Sequence, residues 1–344
     1  MSVQHITILD VNNGDRLDRW FKNHHPEIAF GQLQKLLRSG QIRLDGKRVK
    51  GDTRIQTGQI LRLPPIIASL PSPSIDAAKK SSISVTSHNK PQQSQFQKLQ
   101  KAILYEDEHL AILNKPFGLS VQGGSGLKDH LELYLNALFP TAKEGVRLVH
   151  RLDRDTSGVL LLAKNKKMAR DLTALFRNNG VKKHYRALVV GTPPRNKGHI
   201  TNFLRKKGPH GAEIMHVCPE SDASAKFAKS YYEVINSLPK GVSFLSLRPI
   251  TGRTHQLRVH LAHIGCPILG DPKYKRIKTD ENQPDIDIDI GFEHKLHLHA
   301  LRLCFSHPKT GKNIDITAPI SGHFKKSLTL LEFDPHLQFE ERYF

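Results

Sequence analysis

The sequence predicts an α+β protein of two modules, and three observations carry that expectation. The chain has 344 residues, beyond one typical domain and ample for a sizeable core. Apolar residues recur at helical spacing near the start, then mostly at strand spacing or in short solid runs. Between the two regimes lies a stretch from Pro71 to Lys101, rich in Ser, Pro, Lys and Gln and without apolar period. Such a segment cannot bury enough surface to offset its ordering entropy. Residues 66–100 are therefore expected to be a flexible linker between a module at 1–65 and a larger one at 101–344. No internal repeat is visible.

The small module reads as two helices followed by strands. Leu17, Trp20 and Phe21 fall at i, i+3, i+4, as do Leu33, Leu36 and Leu37. Gly40 stands where a left-handed helix stop favours glycine. Ile42–Leu44 and Lys47–Val49 flank Asp45-Gly46, a strong hairpin dipeptide, and a strand runs from about Gln59 to Leu63.

Charge narrows the function. With 52 Lys+Arg against 32 Asp+Glu the chain carries +20 before its 20 His are counted. That excess points to a polyanionic partner, with nucleic acid first. Arg16, Arg19, Lys35, Arg38, Lys47 and Arg48 fall mostly off the apolar stripes of the small module. Two helices and a hairpin tip, all basic, favour phosphate-backbone binding over a merely solvated face. The 38% hydrophobic and 24% charged composition is that of a globular chain. No apolar run approaches a membrane span, and the start lacks the apolar region of a leader. Cys218, Cys266 and Cys304 are far apart and odd in number, which fits a reducing cytoplasm and not a disulfide framework.

The larger module reads as mainly β. Lys101–Tyr105 and Leu110–Asn114 are short strands, and Lys128–Phe139 fits a helix. Val159–Ala163 is solidly apolar and expected to be buried on both faces. Met168, Leu172, Leu175 and Phe176 predict an amphipathic helix closed by Gly180. Strands follow near Lys183–Val190, Lys229–Ile235 and Val242–Leu247, then a helix over Thr254–Ile264. Within Leu296–Phe305, Leu296, Leu298 and Ala300 alternate on one phase, and Leu301, Leu303 and Phe305 on the other. A one-residue slip of that kind predicts a β-bulge, a device that re-aims side chains beside active sites. The acidic stretch Asp280–Ile290 reads as an exposed insertion.

Several common engines are absent. There is no phosphate-binding G-x-x-x-x-G-K-[ST] loop, no G-x-S-x-G and no Cys-x-x-Cys pair, which disfavours nucleotide hydrolysis, a serine-hydrolase elbow and a zinc ribbon. His294, His297 and His299 cluster, but with Glu293 as the only neighbouring acid they read as core or surface histidines, and no metal or cofactor is called for. The densest polar segment, His150-Arg151-Leu152-Asp153-Arg154-Asp155-Thr156-Ser157-Gly158, leads straight into the buried strand, where active-site loops gather. Taken alone it is equally an Asp/Ser/Gly turn. Tyr185 lies in a short strand, and Arg258 sits at the edge of the Leu257, Leu261, Ile264 stripe, placed to snorkel or to pair with an inward carboxylate.

The order RLDRWF, FGQLQKLLRSG and IRLDGKRV, over Gly14 to Leu63, resembles the S4 RNA-binding domain. LAILNKPFGLSVQGGSG, HRLDRDTSG, KKHYRALV, TGRTHQLRVHLAHIGCPILGD and LHLHALRL, over Ala102 to Pro319, resemble the pseudouridine synthases of the large-subunit (23S) ribosomal RNA type, closest to their C-type members. That resemblance implies a mixed, mostly antiparallel sheet with flanking helices and an RNA cleft. It implies that Asp153 is the catalytic carboxylate, and that Tyr185 stacks on the uracil and serves as base or relay at C5. It implies further that Arg258 pairs with the aspartate, Leu298 packs on the other uracil face and Arg151 fills the gap left by the extruded base. His150 and Arg253, from the same motifs, join the substrate-binding set.

The implied chemistry suits these residues. Uridine becomes pseudouridine when N1–C1′ breaks, the uracil turns, and C5 joins the same carbon; atoms are only rearranged, so no redox or energy source enters. A carboxylate acts at the sugar, either as nucleophile or by removing the 2′ proton, and the sequence leaves both routes open. A guanidinium keeps that carboxylate ionised. The nucleotide must first leave its stack, at a cost of roughly a few kcal/mol. Two other readings stand beside this one: a non-catalytic rRNA-binding or assembly factor, and a glycosidic hydrolase using Asp153 and Asp155 as a carboxylate pair. Which uridines are targets, and the oligomeric state, with a monomer favoured, stay open.

Overall fold

A computed structural model describes residues 3–25, 27–68, 93–123, 127, 129–208, 214–238, 241–275 and 291–335. The expected acidic insertion, most of the expected linker and the glycines at 124 and 126 lie outside the described residues. The chain divides into two compact units, residues 1–88 and 89–344.

In the first unit, β1 (Gln4–Thr7), α1 (Leu17–His24), α2 (Phe30–Arg38), β2 (Arg43–Leu44), β3 (Lys47–Arg48), β4 (Ile60–Leu63) and the short α3 (Pro65–Ala68) build a sheet of order β1-β4-β2-β3 with helices against it. The stripes expected from spacing are the buried ones: Leu17, Trp20 and Phe21 from α1 meet Leu33, Leu36 and Leu37 from α2, with Ile42, Leu44, Leu61 and Leu63 beneath. Asp45 and Gly46 turn the hairpin with φ of +49° and +73°, the pair of left-handed residues that a two-residue hairpin requires. Gly40 ends α2 with φ +71°, and Arg48 Nε lies 2.8 Å from where a Gly40 Cβ would stand, so the hairpin lies against the helix end. β1 was not expected from the sequence.

The second unit is one mixed sheet, whose 11 described strands run from β5 to β15. These are β5 (Ile103–Glu106), β6 (Leu110–Lys115), β7 (Arg147–Leu148), β8 (Ser157–Ala163), β9 (Lys182–Val190), β10 (Lys197–Lys207), β11 (Ile214–Cys218), β12 (Lys226–Ser237), β13 (Val242–Pro249), β14 (Leu298–Ser306) and β15 (Asn313–Thr317). The central path is β11-β10-β12-β13-β9-β14-β8-β6-β5, with β15 beside β14 and β7 beside β8. All pairs are antiparallel except β14 with β8. Helices α4 (Gln93–Lys101), α5 (Leu135–Leu138), α6 (Lys166–Arg177), α7 (Gln256–His263) and α8 (Gly322–Leu330) accompany the sheet. No helix among the described residues is long and apolar enough to cross a membrane.

Three expectations need correction. The end of the presumed linker is folded: α4 covers residues 93–101, and Leu99 is fully buried in the core with Phe96 packed beside it. Two apolar residues one turn apart were too weak a stripe to read against a polar background. The helix expected over Lys128–Phe139 is a single 3₁₀ turn at Leu131–Leu133 followed by one α turn. And α6 is closed by Asn179, which takes φ +55°, while the Gly180 N–H returns to the Leu175 carbonyl at 2.8 Å. That is the six-to-one closure of a Schellman turn, with asparagine in the position usually given to glycine.

The bulge is where the phase slip placed it. Against β9, the register of β14 shifts between Ala300 and Arg302, so Leu298 and Ala300 face one way and Leu303 and Phe305 join a different core cluster. Before the bulge, the other edge of β14 carries β8 in parallel, with His299 opposite Ser157 and Ala300 opposite Gly158. After it, the same edge carries β15. Gly158 makes the parallel contact possible. Its φ is +110°, and a Cβ there would meet the Ala300 carbonyl oxygen at 2.1 Å. A Gly158→Ala protein must push β8 and β14 apart in addition to straining its own backbone. It is expected to lose about 3 kcal/mol or more of stability, read as a lowered urea midpoint.

Candidate active site

Asp153 stands in the loop that enters β8. Its own carbonyl accepts the Thr156 N–H at 3.1 Å, closing a tight turn. The loop is tied from below through one atom, the Arg154 carbonyl, which accepts the Gly118 N–H at 3.0 Å and Lys115 Nζ at 3.0 Å. Lys115 is fully buried and gives its other two donors to the carbonyls of Leu119 and Pro116. Burial pushes its ammonium down to about 7, against the opposing pull of Asp155 and Asp153.

Tyr185 lies on β9 and Leu298 on β14. Tyr185 pairs with Ala300, and Leu298 with Ala187, so the two are diagonal neighbours on one face of the ladder. Both line a cavity of ≈ 610 Å³, together with Asp153, Arg151, His150, Arg253, His255 and Arg258. A second hollow of ≈ 560 Å³ shares Arg151, Leu152, Asp153, His255 and Arg258 and continues past Gln122, Asp155 and Lys273. Asp153 therefore sits where two hollows meet. Asp155 lines only the second and is engaged by Arg154 Nε at 3.0 Å, so it is absent from the hollow that Asp153 shares with Tyr185 and Leu298.

Arg258 reaches this junction from α7, but its fork is spent elsewhere. Nε and Nη2 donate to the two carboxylate oxygens of Asp271 at 2.7 and 2.6 Å, with both side chains almost wholly buried at 4% and 0% exposure. Its remaining nitrogen, Nη1, lies 3.6 Å from Asp153 Oδ2, near enough for charge attraction and too long for a hydrogen bond. The expected pairing with Asp153 is thus the weaker of two. Asp271 was not singled out from the sequence, although it closes the TGRTHQLRVHLAHIGCPILGD motif. An acid directly after the left-handed Gly270 was the available signal.

Other residues of that motif lock the loop. Gln256 accepts from the Thr251 hydroxyl and the Arg253 N–H through Oε1, and donates to the Lys229 carbonyl and Ser230 hydroxyl of β12. Arg253 is exposed and donates Nε to the Phe227 carbonyl. His255 has φ +51° and directs Nε2 to within 3.8 Å of Asp153 Oδ2.

Of the expected substrate residues, Arg151 is exposed on the rim of both hollows. His150 is different. Its Nε2 accepts the Leu161 N–H at 2.8 Å, its ring stacks on Phe176, and burial pushes it down to about 3, so it is a neutral tether within the wall. Burial, with a smaller contribution from Asp153, pushes the Tyr185 phenol up, so that it holds its proton. His297 and His299 are core residues. The first hydrogen-bonds the Leu269 carbonyl and the Ser327 hydroxyl, the second the Ser157 hydroxyl and the Ala318 carbonyl.

In the first unit all six basic residues singled out from the sequence, Arg16, Arg19, Lys35, Arg38, Lys47 and Arg48, are exposed. Arg16 differs from the rest because its guanidinium is held by Asp18 at 3.1 and 2.6 Å, which reduces the charge it presents.

Comparison with known proteins agrees with this arrangement. Residues 109–263 match the family described as RNA pseudouridylate synthase. A Vibrio cholerae protein named ribosomal large subunit pseudouridine synthase C is 34% identical over 95% of this chain and 96% of its own. A Salmonella typhimurium protein of the same name is 33% identical over 96% and 97%. The solved structure of human RNA pseudouridylate synthase domain containing 4 aligns with a TM-score of 0.57 and 30% identity over 70% of this chain and 96% of its own. The loop carrying Asp153 and the helix carrying Arg258 both fall inside the matched region, and the chain belongs to the RNA pseudouridylate synthase family.

Proposed function

We propose that this RNA pseudouridine synthase isomerises uridines of large-subunit (23S) ribosomal RNA in the cytoplasm, with Asp153 as the carboxylate that acts at the sugar. One observation carries the assignment: Asp153 shares a single cavity with Tyr185 and Leu298, while a buried cation stands 3.6 Å from its carboxylate. The names borne by the full-length relatives support the ribosomal substrate.

In this reading the target uridine leaves its stack and places its base between Tyr185 and Leu298, with C1′ near Asp153. Arg151, exposed on the rim, occupies the space the base vacates. Tyr185 and Leu298 hold the detached uracil by flat contact, which permits rotation in a way that fixed hydrogen bonds do not. Because the Tyr185 phenol keeps its proton, its contribution is as a stacking surface and proton holder, not as a ready base. Arg258 supplies fixed positive charge beside the carboxylate, and its own orientation comes from Asp271. The exposed bases of the first unit, the S4-like module, hold the phosphate backbone, and the second unit performs the chemistry.

Pseudouridine mapping of rRNA from a strain lacking this gene, complemented by wild type or by Asp153→Asn, tests the assignment directly. The variant is expected to bind rRNA normally and to lose activity by roughly 10³-fold or more. Restoration of every missing modification by the variant would remove Asp153 from the chemistry. Arg258→Lys cannot span Asp271 with two bonds while reaching Asp153. Its turnover on an rRNA transcript is expected to drop roughly hundredfold. A Lys47→Ala, Arg48→Ala protein is expected to bind rRNA more weakly. Its plot of log affinity against log salt should be shallower by about 0.7–0.9 for each phosphate that the hairpin no longer neutralises. An unchanged slope in a binding titration would assign the hairpin no phosphates.

A further inference from the structure

His255 is held in a way that a simple helix cap does not require. It precedes α7 with φ +51°, a conformation that costs a non-glycine residue free energy and persists where the surroundings enforce it. Its side chain caps nothing. The ring stands edge-on to Tyr274 at 5.6 Å between centroids, with Nδ1 2.9 Å from the Tyr274 hydroxyl. That hydroxyl already accepts the Met215 N–H at 3.0 Å, which leaves its own proton to be donated to Nδ1. Tyr274 is itself fixed, since its N–H goes to Asp271 Oδ1 and the Arg258 guanidinium lies 5.2 Å from its ring centre. An imidazole that accepts at Nδ1 carries its proton on Nε2, and Nε2 faces Asp153 Oδ2 at 3.8 Å.

We propose that His255 is a positioning residue for Asp153: its Nε2–H, set by the relay from Met215 through Tyr274, faces Oδ2 from 3.8 Å, orients the carboxylate by electrostatic attraction and leaves the other oxygen to act at the sugar. This rests on the assignment of Asp153 above. The charged and titratable groups that face the ring are Asp153, Arg258, Lys273, Asp271 and Tyr274. Burial lowers the imidazole from its ordinary range, so at neutral pH it is uncharged. Burial also pushes the Tyr274 phenol up to about 12, so the relay keeps its proton. The sign of the pH effect follows. Above its lowered pKa His255 is the neutral donor; below it, the imidazolium grips the carboxylate as an ion pair and competes with the reaction. Activity should therefore fall as the solution is acidified through that value, below 6.5.

The test uses the full chain and a transcript of large-subunit rRNA carrying 5-tritiated uridine, with tritium release followed under single turnover across pH. His255→Asn retains an N–H donor and a residue type that tolerates the left-handed backbone. His255→Gly relieves the backbone but removes the donor. The glycine variant should react roughly 10- to 100-fold more slowly with unchanged RNA affinity. The asparagine variant should recover part of that rate and lose the acid limb. Wild-type rates in both, a wild-type acid limb in the asparagine variant, or an effect confined to RNA affinity would each overturn the proposal. Independently of activity, nitrogen NMR should show the Nε2–H tautomer of His255 in the wild type and a mixture in Tyr274→Phe; a single Nδ1–H form in the wild type would also overturn it. Asp153→Asn run alongside separates the two ideas. An active Asp153→Asn protein removes the underlying assignment, whereas an inactive one beside unaffected His255 variants removes this inference alone.

Discussion

The bidentate contact between Arg258 and Asp271 is the interaction on which the arrangement around Asp153 depends. Neither charge is tolerable alone at that depth, because a buried ion without a partner costs several kcal/mol. Paired, they form a rigid anchor whose third nitrogen is left to face the junction of the two hollows. The same Asp271 oxygen that receives Nη2 also accepts the N–H groups of Lys273 and Tyr274. One carboxylate thus sets the guanidinium, the following turn and the aromatic ring that steadies His255. The surroundings of Asp153 are thus organised by a second acid, Asp271, through the residues between them.

The backbone contributes as much as the side chains. The bulge in β14 lets a single strand place Leu298 and Ala300 beside β9 and β8, then send Leu303 and Phe305 into another core. Without the slip, the residues beyond it would occupy the opposite face. The close parallel contact at Gly158 brings the start of β8, and with it the Asp153 loop, beside the strand pair that displays Tyr185 and Leu298. The geometry of the cavity is therefore a consequence of sheet register.

Much of this was legible from residue order. The slip in the Leu296–Phe305 alternation located the bulge, and the apolar run Val159–Ala163 located the buried central strand. Other parts were not. β10 and β11 carry mixed polar residues along a sheet edge, so no clean alternation marks them. The resemblance implied that Arg258 pairs with Asp153, but sequence shows which charges exist and not how a planar fork divides between two acids. Asp271 lies 13 positions on, beyond any helical spacing. His150 joined the substrate-binding set through the motif it shares with Asp153, and its ring turns inward to a strand N–H.

The tether beneath Asp153 has an evolutionary corollary. Lys115 and the Gly118 amide grasp the loop by a carbonyl oxygen, an atom that every amino acid possesses. Residue 154 anchors the turn through its backbone, while its exposed side chain pairs with the neighbouring Asp155. Constraint is displaced onto Lys115, whose ammonium no backbone group replaces, and onto Gly118, whose φ of +81° favours glycine, both remote in sequence from Asp153. Divergence among related chains should accordingly be tolerated at position 154 while sparing the strand end that grips its carbonyl.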